Sequence, residues 1–148
     1  MKKIYFAGPL FCQSEKDYNL KLATILENAG YKVFLPQRDG YEAVRLKDKT
    51  QEEVARMIFD RDTSEIINAD IFFMVLDGRV PDDGACVELG IAYSNRKRCY
   101  GVKTDARSLE KGLDLNPLLS GCFSKIFYNL NGEELLKELQ KFLKTNSL

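Results

Sequence analysis

Five short apolar runs recur along the chain, and the segments between them carry apolar residues at helical spacing. Residues 2–7 (KKIYFA), 32–35 (KVFL), 71–76 (IFFMVL), 98–103 (RCYGVK) and 125–130 (KIFYNL) have the length and the β-branched or aromatic content of strands. Residues 14–28 predict a helix through Leu22, Ile25 and Leu26, stopped by Gly30. Thr50-Gln51-Glu52-Glu53 has the form of a capping box, opening a long helix with Val54, Ile58 and Ile66 at helical spacing. A third helix spans about 83–95. A last, amphipathic one covers 133–144 and turns Leu135, Leu136, Leu139, Phe142 and Leu143 inward. Residues 37–48, with Arg38 and Arg45, and residues 104–120 read as loops.

Regular alternation of strand and helix predicts an α/β fold, a five-stranded parallel sheet with helices on both faces. Right-handed crossovers favour a doubly wound order such as 2-1-3-4-5. The strand order then reverses between the first and third strands. Their C-terminal turns, Gly8-Pro9 and Asp77-Gly78, frame the expected pocket. Nothing divides the chain, so residues 1–148 are expected to form one domain.

Composition changes the picture in two places. Lysine plus arginine equals aspartate plus glutamate at 22 each, which argues against a nucleic-acid polymer as partner. Histidine is absent. That removes Ser-His-Asp and Cys-His catalysis and histidine-based metal sites, leaving carboxylates, Tyr, Lys or Cys for acid–base work. No metal and no cofactor are expected. Cys12, Cys86, Cys99 and Cys122 lack CxxC spacing and read as free thiols, mostly in apolar settings. No apolar run is long enough to cross a bilayer, and Met1-Lys2-Lys3 leads directly into a strand. The expectation is a cytoplasmic protein without membrane contact.

The chemistry is expected in residues 60–90, at Asp62, Asp82 and Glu88. Asp62 lies eight residues before Asp70, at the foot of the third strand. On an antiparallel helix it climbs about 12 Å back towards the strand's C-terminal end. Glu88 lies about one turn inside the helix that starts at that same end, in the otherwise small and apolar segment GACVELGIAY. The plain alternative makes Asp62 and Glu88 solvated helix residues and Asp82 or Asp83 an N-cap. Tyr5, on the first strand, either fills the core or reaches the pocket edge. Cys86, two residues before Glu88, points about 200° away around the helix and reads as a small buried hydrophobe.

The segments YFAGPLF, DRDTSEIINADIFFMVLDGRVPDDGACVELGIA and LNPLLSG resemble the nucleoside 2-deoxyribosyltransferase family over most of the chain. The resemblance implies a flavodoxin-like fold and cleavage of the N-glycosidic bond of a 2'-deoxynucleoside, with transfer of deoxyribose to another nucleobase. It matches Glu88 to the nucleophile, Asp62 to an acidic residue near the base, and Tyr5 to a tyrosine that orients the nucleophile. Asp82 matches a residue that helps hold sugar or base. Asn116 matches one that reaches a neighbouring subunit's pocket at the sugar's 5' end. Gly8, Phe11, Asp77 and Gly84 complete the expected substrate-binding set. The implied partners are a deoxynucleoside, a nucleobase and further copies of the chain in a homo-oligomer with shared active sites. Leu113, Leu115, Leu118 and Leu119, apolar residues in a loop-like stretch, fit that assembly. The alternatives are hydrolysis of 2'-deoxynucleoside 5'-monophosphates, with Ser14 and Arg38 as candidate phosphate ligands, and a non-catalytic nucleotide-binding module.

Overall fold

The computed structural model describes residues 1–41, 48–107 and 114–148. Strands β1 (Lys3–Ala7), β2 (Lys32–Phe34), β3 (Ile71–Val75), β4 (Arg98–Lys103) and β5 (Lys125–Tyr128) form one sheet, all parallel, in the order β2-β1-β3-β4-β5. Helices α1 (Gln13–Asn28), α3 (Gln51–Ile67), α4 (Asp83–Ser94) and α6 (Gly132–Thr145) follow β1, β2, β3 and β5. Two short helices, α2 (Pro36–Asp39) and α5 (Pro117–Ser120), lie in segments expected to be loops. Each has proline in its first turn, where the missing N–H costs nothing. Asp39 accepts the Leu35 N–H at 2.9 Å, and Asn116 accepts the Leu118 N–H at 2.9 Å. Arg45 and Leu113 lie outside the described residues.

Alternation along the strands divides the interior into two cores. Ile4 and Phe6 of β1 and Ile71, Phe73 and Val75 of β3 meet α1 and α6 through Leu22, Leu26, Leu135 and Leu139. Tyr5, Ala7, Phe72 and Met74 face the other way, against Ile66 of α3 and Ala85, Leu89 and Ala92 of α4. Every residue of β3 is buried, as a central strand covered on both faces requires.

The capping box of α3 forms as expected: Thr50 Oγ1 accepts the Glu53 N–H at 3.2 Å, and Glu53 accepts the Thr50 N–H at 2.8 Å. Of the three apolar residues expected to define that helix's inner side, only Ile66 is fully buried, because α3 packs through its C-terminal half. Leu115 and Leu119 pack against the second core, whereas Leu118 is 83% exposed. Cys12 is exposed rather than apolar in setting, because it lies at the mouth of α1; Cys86 and Cys122 are half-buried and Cys99 is buried. No helix among the described residues is long and apolar enough to cross a membrane.

Candidate active site

β1 delivers Tyr5 to the site from inside the core. Parallel registration sets Tyr5 beside Phe34 of β2 and Phe72 of β3. The three rings stack, with centroids 5.5 Å and 5.9 Å from Tyr5 and planes within 20° and 8°. Arg61 of α3 covers the outer face of Phe34 at 5.4 Å. The phenol, fully buried and held in this sandwich, donates to Glu88 Oε1 at 2.6 Å. Burial, then the charges of Glu88 and Asp62, hold the Tyr5 phenol well above its ordinary range, so it stays a donor.

Glu88 stands on the inner side of α4, one turn from the helix start. Burial pushes its carboxyl up to about 7; the Tyr5 hydrogen bond pulls it back, while Asp62 and Asp82 add repulsion. Asp62, half-buried on α3, is pushed up to about 6 by burial, with Arg61 opposing and Glu65 adding to the rise. Glu65 is engaged by Lys3 and by Arg61, the latter at 3.1 Å. Two carboxyls that titrate close to neutrality thus sit where α3 and α4 pack side by side. One can be ionised while the other holds a proton.

The remaining expected residues divide. Asp82 caps α4, accepting the Ala85 N–H at 2.8 Å, so the plain N-cap role holds, yet its charge still reaches Glu88. Gly84 permits this close turn: a Cβ there would lie 3.2 Å from Asp82 Oδ2. Gly8 has φ +146°, and a Cβ would meet Val75 Cβ at 2.9 Å, so β1 and β3 close up at the switch point only with glycine. Asp77 spends its carboxylate on the loop after β4, accepting from the Thr104 and Asp105 N–H groups at 2.6 and 3.1 Å and from the Thr104 hydroxyl. Phe11 is 77% exposed at the mouth of α1.

Asn116 is not brought to Glu88. It lines a concavity of about 360 Å³ together with Val80, Pro81 and Leu119, which Tyr5, Asp62 and Glu88 do not line. Arg38, a candidate phosphate ligand, is spent elsewhere: it holds Glu27 at 2.8 Å, Asp39 at 3.0 Å and the Val33 carbonyl at 2.9 Å. Phe34, Phe72, Arg61 and Glu65 escaped the sequence reading. The signal for the two rings was present, since the order 2-1-3 makes them the strand neighbours of Tyr5.

A sequence model of the nucleoside 2-deoxyribosyltransferase family matches residues 4–140. No curated protein matches the sequence significantly. Among solved structures, a conserved protein of Enterococcus faecalis superposes with a TM-score of 0.76 at 26% identity, covering 95% of this chain and 98% of that one. A 2-deoxyribosyltransferase of Bacillus psychrosaccharolyticus gives 0.69 at 24% identity, with 90% of each chain covered. A CMP N-glycosidase of Clostridium botulinum gives 0.64 at 16%, covering 95% and 99%. The five-stranded parallel fold is shared with these structures.

Proposed function

Because the chain belongs to the nucleoside 2-deoxyribosyltransferase family, we propose that it cleaves the N-glycosidic bond of 2'-deoxynucleosides and passes the deoxyribosyl group to a second nucleobase. The observation that carries this reading is the Glu88 carboxylate, held by the buried Tyr5 hydroxyl at 2.6 Å beside a second raised carboxyl, Asp62.

In the chain alone a proton shared by the two carboxyls rests on Glu88, raised to about 7, rather than on Asp62, raised to about 6; for the reaction it passes to Asp62, and Glu88 attacks C1' as the carboxylate. The C1'–N bond breaks, its electron pair leaves with the base, and protonated Asp62 supplies the proton that the departing base takes up. The result is a deoxyribosyl ester on Glu88. The incoming base attacks C1', loses its proton to Asp62, and the ester bond breaks to restore the Glu88 carboxylate. Tyr5 orients the nucleophile. Gly8, Phe11, Asp77, Asp82 and Gly84 shape the substrate's surroundings, and Asn116 serves a neighbouring copy.

The test is incubation with deoxyinosine and free adenine, followed by chromatography. Deoxyadenosine is the expected product. Hypoxanthine without deoxyadenosine overturns transfer in favour of hydrolysis, and no release of hypoxanthine overturns both.

A further inference from the structure

Three charged side chains that the reaction does not use meet at the Phe34 ring. Lys3 Nζ of β1 stands 6.0 Å from the ring centroid, and the Arg61 guanidinium carbon of α3 stands 5.4 Å from it. Glu65 of α3 ties the two cations together. Lys3 donates to its Oε2, and Arg61 Nη2 lies 3.1 Å from its Oε1. The Glu65 side chain is only 14% exposed, so its carboxylate is largely withdrawn from water and each oxygen is committed to one cation. Arg61 and Glu65 are four residues apart and so share one side of the helix.

Asp62 follows Arg61 directly and lies three residues before Glu65. Burial raises its carboxyl most; Arg61 lowers it through charge, and Glu65 raises it. From the other elements packed against it, Tyr5 of β1 and Glu88 of α4 face it. Glu88 in turn answers to burial, Tyr5, Asp62 and Asp82. The guanidinium next to Asp62 in sequence is thus turned to Glu65 and Phe34. Arg38 and Asp39, also sequence neighbours, show the alternative. There the arginine clamps the adjacent carboxylate, Nε to Oδ1 at 3.0 Å, and against burial that carboxyl is held below its usual range. Asp39 lies within reach of the Arg61 charge as well, but it is already held by Arg38.

We propose that Glu65 is a positioning residue: by holding the Arg61 guanidinium at Phe34 it keeps that cation from pairing with Asp62, and so leaves Asp62 able to carry the proton between the departing and incoming bases. The proposal rests on the glycosyl-transfer reading. The working form has Glu88 ionised and Asp62 protonated. At acid pH its share of the chains depends on how readily Glu88 ionises. At alkaline pH it depends on how strongly Asp62 keeps its proton. A change that acts on Asp62 therefore moves the rate on the alkaline side and leaves the acid side in place.

The test follows kcat/KM for release of hypoxanthine from deoxyinosine, with adenine as acceptor. The readout is the rate at about pH 8.5 divided by the rate at about pH 5, each taken relative to the wild-type chain. Glu65→Gln keeps the side chain's shape and removes the charge that holds Arg61. It is expected to lower this ratio by about threefold or more. Adding Arg61→Met removes the released cation but keeps an apolar stem against Phe34, and is expected to return the ratio to the wild-type value. Arg61→Met alone is expected to raise it. A general loss of packing lowers both ends of the profile and leaves the ratio unmoved. Thermal melts verify folding; if Glu65→Gln does not fold, the ratio in Arg61→Met decides. A ratio unmoved in Glu65→Gln, not restored by the second substitution, or not raised in Arg61→Met overturns the proposal while leaving glycosyl cleavage intact. A wild-type chain that releases no hypoxanthine overturns the glycosyl-transfer reading and this proposal with it.

Discussion

Glu88 combines features that work against each other. It is a carboxyl in a small, apolar helix face, and burial raises its pKa from an ordinary 4.5 to about 7. Between those values the folded chain keeps a proton that the unfolded chain has released, so folding stability falls as pH rises through this window. Above about 7 the loss is complete and persists. Asp62, raised to about 6, contributes in the same sense. Glu88→Gln is therefore expected to be more stable than the wild-type chain at pH 8 by about 1–2 kcal/mol, and equal to it near pH 4. Urea titrations at the two pH values measure the difference. The same substitution removes the proposed nucleophile and is expected to lower turnover by more than about 10³-fold. A variant that keeps its activity argues against the ester intermediate, and one that gains nothing at pH 8 argues against a costly buried charge.

At the scale of elements, the site is a product of strand registration. Tyr5 reaches Glu88 because β2 and β3 set Phe34 and Phe72 on either side of its ring. Helix α3 then closes the stack, with Arg61 over Phe34. Phe34→Leu keeps an apolar side chain of similar bulk but removes one stacking face, and is expected to cost about 1 kcal/mol of stability. Its catalytic effect should appear in kcat more than in KM, since Phe34 touches Glu88, the proposed nucleophile, only through Tyr5. The low-pH limb of the rate profile should also move up, because a loosened Tyr5 hydrogen bond no longer offsets the raised Glu88 carboxyl. Steady-state kinetics across pH 5–8 check both; a pure loss of stability with an unchanged profile would reduce Phe34 to a packing residue.

At the scale of the whole molecule, the expected site residues fall in two places. Tyr5, Asp62 and Glu88 cluster between β1, α3 and α4, whereas Asn116 caps α5 beside a different concavity, with Leu118 bare next to it. If Asn116 serves the pocket of a second copy, Asn116→Ala and Glu88→Ala chains, each impaired alone, recover activity when mixed. Some mixed pockets then receive both intact residues, up to about a quarter in a dimer with random exchange. No recovery after subunit exchange has been demonstrated by mass spectrometry, or a monomer by light scattering at working concentration, rules this out.

Much of this was legible in the chain itself. Apolar runs of strand length, separated by helix-length segments, determine a parallel sheet, because each strand must bury both faces and each return needs a crossover. Handedness then limits the strand order to very few choices. The positions of Asp62 and Glu88 above the sheet follow from rise per residue alone. What local pattern could not decide is which polar groups are already satisfied. Asp77 looks free in the sequence, yet its oxygens are committed to a loop 27 residues away. Arg38 looks available for phosphate, yet it is held by Glu27 and Asp39. Glu15 looks like a surface helix residue, yet it fills two amides at the rim of the switch point. Periodicity reports on burial, which is summed over many residues. Hydrogen-bond partners and raised carboxyl pKa values depend on a few ångströms between residues far apart in sequence, and only the folded chain sets those distances.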